Sequence, residues 1–233
     1  MIPIQDSPLE PRRTFPVVML LLTAANIALF AYELSLGPNI GCFVRAYGAM
    51  PAEITTGRGL VPGAPSPIYL TLLTSMFIHG GILHVGGNML FLWVFGDNVE
   101  DALGHLVFLG FYLFCGVIAG LAQVVANPFS SVPSIGASGA IAGVLAAYLV
   151  LFPDATVRTL LLVGPFITFT RISALFMIGV WIVLQLASAL LELTPVTTGS
   201  GVAFWAHLGG FGAGFLVTLA WRGLMRERRV NSE

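Results

Sequence analysis

Six apolar runs, each long or nearly long enough to cross a bilayer, constrain this chain more than any other feature. They are Phe15–Tyr32, Leu83–Phe95, His105–Ala126, Ala137–Phe152, Ile172–Leu191 and Val202–Trp221. A spanning helix needs about 20 mostly apolar residues. The second and fourth runs are short, so each borrows flanking residues or sits in a thinned bilayer. The predicted fold class is an all-α membrane protein, a compact bundle of six transmembrane helices with a long first external loop. Its parts are an N-terminal tail over residues 1–16, a six-span domain over 17–222 and a basic C-terminal tail over 223–233. Composition agrees: 57% of the 233 residues are hydrophobic and 9% charged, against about 25% charged in a soluble domain. Disorder is excluded, and a net charge of −1 excludes an electrostatic nucleic-acid binder. Two cysteines are no disulfide framework.

All the cationic side chains are arginines, and their positions predict orientation. Six spans put both termini on one side. Arg12, Arg13, Arg158, Arg171, Arg222, Arg226, Arg228 and Arg229 share that side; Arg45 and Arg58 lie on the other. The positive-inside rule then predicts cytoplasmic termini in the cell membrane. The first apolar run lacks a small-residue cleavage site, so it reads as a retained anchor after a short tail. The first loop, Glu33–Ile82, is rich in Gly and Pro but carries enough apolar residues to pack on the membrane surface. Val157–Thr170, apolar but too short to span, is expected to dip into the cytoplasmic leaflet or lie at the interface.

Ionisable groups inside a span are costly and point to function. Histidines are the exceptions here. Spans two, four and six start on the external side, which places His84, Ser138 and His207 at similar depth. Asn88 follows His84 by one helical turn and shares its face. Ser138 stands where a loop gives way to helix, so nearby backbone N–H groups lack intrahelical acceptors and can bind an oxyanion. Gly139 with Gly143, and Gly210 with Gly214, form small-xxx-small pairs that let spans four and six touch backbone to backbone. That contact would bring Ser138 and His207 together.

These residues resemble the rhomboid family of intramembrane serine proteases. His79, His84 and Asn88 in HGGILHVGGN match its His-x4-His-x3-Asn pattern. Gly136–Gly139 (GASG) match its Gly-x-Ser-Gly pattern, and Ala206–Gly214 (AHLGGFGAG) match its Ala-His-x-x-Gly-x-x-x-Gly pattern. The likeness runs from about Phe15 to Trp221, a minimal six-span form. The first loop lacks the adjacent Trp-Arg pair of some members.

The resemblance implies a serine endopeptidase with a Ser–His dyad. Ser138 would be nucleophile and His207 general base, oriented by packing or by a neutral hydrogen bond. His84, Asn88 and the Ser138 N–H would bind the oxyanion. His79 would brace the first loop, and Gly136, Gly139, Gly210 and Gly214 would shape the site. Single-span membrane proteins would be the substrates, entering past span five and the loop Thr194–Gly201. The lipid bilayer is the other partner, and no cofactor, metal or nucleic acid is called for. A three-histidine zinc site from His79, His84 and His207 would lack a carboxylate base. The non-enzyme alternatives are a helix-binding membrane chaperone and a small transporter; the chain lacks the coupling carboxylate or paired broken helices of the latter.

Overall fold

The computed structural model describes residues 1–7, 13–163, 166–192 and 202–230. In chain order its elements are β1 (Ile2–Ser7), α1 (Val17–Ser35), α2 (Ile40–Tyr47), α3 (Pro51–Thr56), α4 (Thr71–Thr74), α5 (Ile82–Leu103), α6 (His105–Ala126), α7 (Ser138–Leu151), β2 (Thr156–Val163), β3 (Phe166–Ser173), α8 (Ala174–Glu192) and α9 (Phe204–Val230). The fold is mostly helical, and its long helices fall on the apolar runs of the sequence. Among the described residues α1, α6, α8 and the Phe204–Leu224 part of α9 are long and apolar enough to cross a membrane. α5 joins them as a fifth when taken with Ile68–Phe77, from which it is bent by 82°. α7 is apolar but has 14 residues, about 21 Å of helix.

α7 is the central helix. Eleven of its residues are buried, from Gly139 to Val150, because α5, α6 and α9 surround it. Small residues make this possible. A Cβ on Gly210 would overlap the Gly139 carbonyl, and one on Gly214 would overlap Gly143. α7 and α9 therefore meet backbone to backbone, as the glycine spacing predicts. Gly139 also packs on Ala119 of α6. From Ala119, α6 runs on to Ala126, about 10 Å further. Ser138 thus lies well below the end of its neighbour, inside the bundle. At the opposite end Phe95, Phe108, Leu145 and Tyr148 fill the core with at most 1% exposure.

Long-range polar contacts fasten the helix ends. The first N–H groups of α1 lack intrahelical acceptors. Those of Val18 and Met19 donate to the Glu100 carboxylate of α5 at 2.9 and 2.7 Å. At the other end of α1, Glu33 is fully buried and accepts the backbone N–H of His79.

Two segments differ from the sequence expectation. Val157–Thr170, expected to dip into the cytoplasmic leaflet or lie at the interface of an all-α fold, falls in a β-hairpin, β2–β3. β1 pairs antiparallel with β2, giving a sheet of order β1-β2-β3. One hairpin face, with Val157 and Thr159 at 0% exposure, packs inward. The first loop, expected to lie on the membrane surface, folds largely back onto the bundle. Ala49 pairs with Ser134 ahead of α7, and Ile54 and Leu72 bury against Val117 and Val124 of α6. Tyr69, Leu70 and Leu73 remain exposed. The C-terminal stretch expected to be a tail continues α9 as helix as far as Val230. Thr194–Gly201, expected to border substrate entry, lies outside the described residues.

Candidate active site

Ser138 is the first residue of α7, preceded by Gly136 with φ +114. A side chain at that φ would be strained. A Cβ there would also fall 2.7 Å from His84 Nε2. Glycine at 136 therefore lets the chain turn into α7 while the His84 ring closes against it. The Gly136 N–H donates to the Ser75 carbonyl at 2.9 Å, which holds the turn to the first loop.

His207 stands in the first turns of α9. Its Nε2 lies 2.7 Å from Ser138 Oγ, across 69 residues of sequence. Its other nitrogen, Nδ1, lies 2.7 Å from Oε1 of Gln185 on α8. A side-chain carbonyl only accepts, so Nδ1 carries the proton and Nε2 is left as the acceptor for the serine hydroxyl. One turn before Gln185, Trp181 lies beside the imidazole, with ring centroids 5.7 Å apart. Both ring nitrogens of His207 are thus engaged in hydrogen bonds. Among the described residues no three His, Cys, Asp or Glu side chains cluster as metal ligands would.

His84 and Asn88 line the same cavity as Ser138 and His207. The cavity is about 490 Å³ and is otherwise mostly apolar. His84 Nδ1 accepts the Gly80 N–H at 3.3 Å. Its proton is therefore on Nε2, the nitrogen turned toward Gly136. Asn88 is buried, and its Nδ2 donor has no hydrogen-bond partner among the described residues. A buried amide left unpaired costs about 1–3 kcal/mol, and this one adjoins Gly136, two residues from Ser138. Three donors, Asn88 Nδ2, His84 Nε2 and the first-turn N–H of Ser138, border one apolar cavity.

Of the residues the sequence singled out, His84, Asn88, Gly136, Ser138, Gly139 and His207 all border this cavity. Gly210 and Gly214 lie beneath it at the α7–α9 contact. His79 stands apart. Its backbone is held by Glu33, its Nδ1 lies 3.2 Å from the Phe77 carbonyl, and its ring packs edge-on to His84. Gln185 and Trp181 were not anticipated. The available signal was a lone glutamine in the apolar run of span five, four residues after a tryptophan and so on the same helical face.

The fold and the site together define a helical membrane protein that carries a hydrogen-bonded serine and histidine within its bundle. The model of the Rhomboid domain matches residues 67–223, and the chain belongs to the rhomboid family. It is 33% identical over 180 residues to the presenilin-associated rhomboid-like protein, mitochondrial, of Bos taurus, covering 69% of this chain and 43% of that protein. It is 45% identical over 78 residues to Rhomboid protease GluP of Bacillus subtilis, covering 34% of this chain and 15% of that protein. It is also 30% identical over 149 residues to Rhomboid protein 1, mitochondrial, of Saccharomyces cerevisiae, covering 62% and 38%. The chain thus spans less than half the length of these relatives.

Proposed function

We propose that this protein is an intramembrane serine endopeptidase that cuts the transmembrane segments of single-span membrane proteins. The observation that carries this reading is the 2.7 Å approach of Ser138 Oγ to His207 Nε2 inside an apolar bundle. Serine is a weak nucleophile until a base takes its proton. Here His207 accepts that proton as Oγ attacks the scissile carbonyl carbon. The carbonyl oxygen becomes an oxyanion, and donors from Asn88, His84 and the Ser138 N–H stabilise it in a water-poor site. The C–N bond then breaks, and His207 returns the proton to the leaving amine. Water, deprotonated by His207, hydrolyses the ester on Ser138 and regenerates the hydroxyl.

His79 braces the first loop against α1 and α5. The glycines at 136, 139, 210 and 214 let the chain and the helices approach closely enough to form the dyad. A helical substrate hides its carbonyls, so it must unwind locally before attack; glycine or proline in its span lowers that cost. The arginine distribution favours cytoplasmic termini in a cell membrane, with the site open to the external side. One part of the name GluP supports the reading: that relative is called a rhomboid protease.

The test uses the purified full chain and a fluorophosphonate probe, with Ser138→Ala as control. Labelling of the wild-type chain alone, together with cleavage of a single-span substrate, is the expected result. A helix-binding chaperone would bind substrate without cleaving it and would be indifferent to Ser138→Ala.

A further inference from the structure

We propose that Gln185 is a positioning residue for His207, a neutral third member that does for this dyad what a carboxylate does in a three-residue hydrolytic site. The inference rests on the serine-protease reading and adds to it the group that sets the base's tautomer.

Gln185 lies in the second half of α8, between Leu184 and Leu186, two exposed apolar side chains of a helix hydrophobic enough to span a membrane. An amide between apolar side chains of a membrane helix gains from a partner inside the protein. Its Oε1 finds one in His207 Nδ1 at 2.7 Å. The same imidazole meets Ser138 through Nε2 at 2.7 Å, so the three side chains form one line from α8 through α9 to α7. Trp181, on the same face of α8, flanks the ring. Gln185 sets which nitrogen carries the proton, and Trp181 restricts how the ring can turn. Without the acceptor at Nδ1, the proton can move to Nε2, and the ring then has no lone pair for the serine hydroxyl.

A neutral acceptor suits this place. A carboxylate would be ionised in a low-dielectric bundle at a desolvation cost that a protonated imidazole beside it must offset. The amide fixes the tautomer without that charge. Among the described residues the cavity at Ser138 is lined by no carboxylate and no arginine, and His84 is its only titratable side chain there besides His207.

The test measures the rate of fluorophosphonate labelling of Ser138 against pH in the purified full chain. It compares wild type, Gln185→Met, Gln185→Glu and, as blank, Ser138→Ala. Met keeps the size but removes the acceptor; labelling should slow by at least about tenfold, short of the roughly 10⁴ lost where a carboxylate partner is made neutral. Glu restores an acceptor and adds charge that favours the imidazolium. Its labelling should recover, with the rise in rate moved to higher pH. Trp181 is kept in both variants, so rates are compared per folded molecule, with the thermal midpoint measured alongside. Wild-type rate and pH profile in Gln185→Met would overturn the proposal. So would a pH profile in Gln185→Glu that matches wild type, which also decides the case if the Met variant fails to fold. A wild-type chain that takes no label at all would instead sink the protease reading beneath it.

Discussion

The hydroxyl of Tyr148 donates to the Asp6 carboxylate at 2.7 Å, across 142 residues of sequence. The same carboxylate oxygen accepts from Asn98 Nδ2 at 2.5 Å. Asp6 belongs to β1, Asn98 to α5 and Tyr148 to α7, so one side chain ties the sheet to the helices that carry Asn88 and Ser138. Tyr148 is fully buried and would lose its acceptor in Asp6→Ala. We predict a loss of about 1–3 kcal/mol in unfolding free energy. Chemical denaturation in detergent measures it. The labelling rate per folded molecule should not change, because the contact lies at the far end of α7 from Ser138.

Helix contact beneath the site predicts a contrast between two glycines of α9. A Cβ on Gly210 would overlap the Gly139 carbonyl, one residue from Ser138, whereas nothing lies within 4 Å of a Cβ on Gly212. Gly210→Ala should cost about 1–3 kcal/mol or more and separate His207 from Ser138. Gly212→Ala should be neutral or stabilise by up to about 1 kcal/mol. Thermal midpoints and fluorophosphonate labelling of the two variants check this. Equal behaviour would contradict the close α7–α9 contact.

Orientation can be read from a natural cysteine. Cys42 is exposed on α2 in the first loop, while Cys115 is buried in α6. If the termini are cytoplasmic, a membrane-impermeant maleimide added to intact cells should label wild type and not Cys42→Ser. Labelling only after the membrane is opened would reverse the orientation.

Stability and activity should part company at Asn88. Its Nδ2 is buried without a partner among the described residues, so Asn88→Ala removes an unpaired donor and should leave the unfolding free energy within about 1 kcal/mol of wild type. Removing an oxyanion donor typically costs about 10²–10³ in kcat. Turnover of a transmembrane substrate should fall by that order in Asn88→Ala, with His84→Ala falling likewise. If both variants lose their fold instead, the pair serves packing and not catalysis.

The sequence carried the site further than it carried the surroundings. Span three is read to the residue as His105–Ala126, because an unbroken apolar run between Gly104 and Asn127 admits one interpretation. Ser138 and His207 were legible because glycine spacing in two helices predicts the contact that joins them. Gln185 was passed over because a search for charges inside the membrane does not register a neutral amide, whose cost is smaller and whose role depends on a partner 22 residues away. The hairpin β2–β3 was missed because its apolar content was weighed by length against a span. The β-branched residues on either side of Gly164–Pro165 were the better signal. The pairing of β1 with β2 joins residues about 150 positions apart, and local pattern holds no trace of it. Buried Glu33 reads in the sequence only as the start of the first loop; its partner is the backbone of His79, which no side-chain pattern reveals.

The dyad itself is tested most directly by a double-variant cycle on cleavage of a single-span substrate by purified protein. Ser138 Oγ and His207 Nε2 share one hydrogen bond; if the proposed dyad is right the two act as a unit, and losing either should cost about as much as losing both. Ser138→Ala, His207→Ala and the double variant should therefore fall to one common background rate. Wild-type turnover should rise with pH as the imidazolium gives up its proton. Cleavage that persists in Ser138→Ala, or that falls further in the double variant than in either single one, would contradict the account.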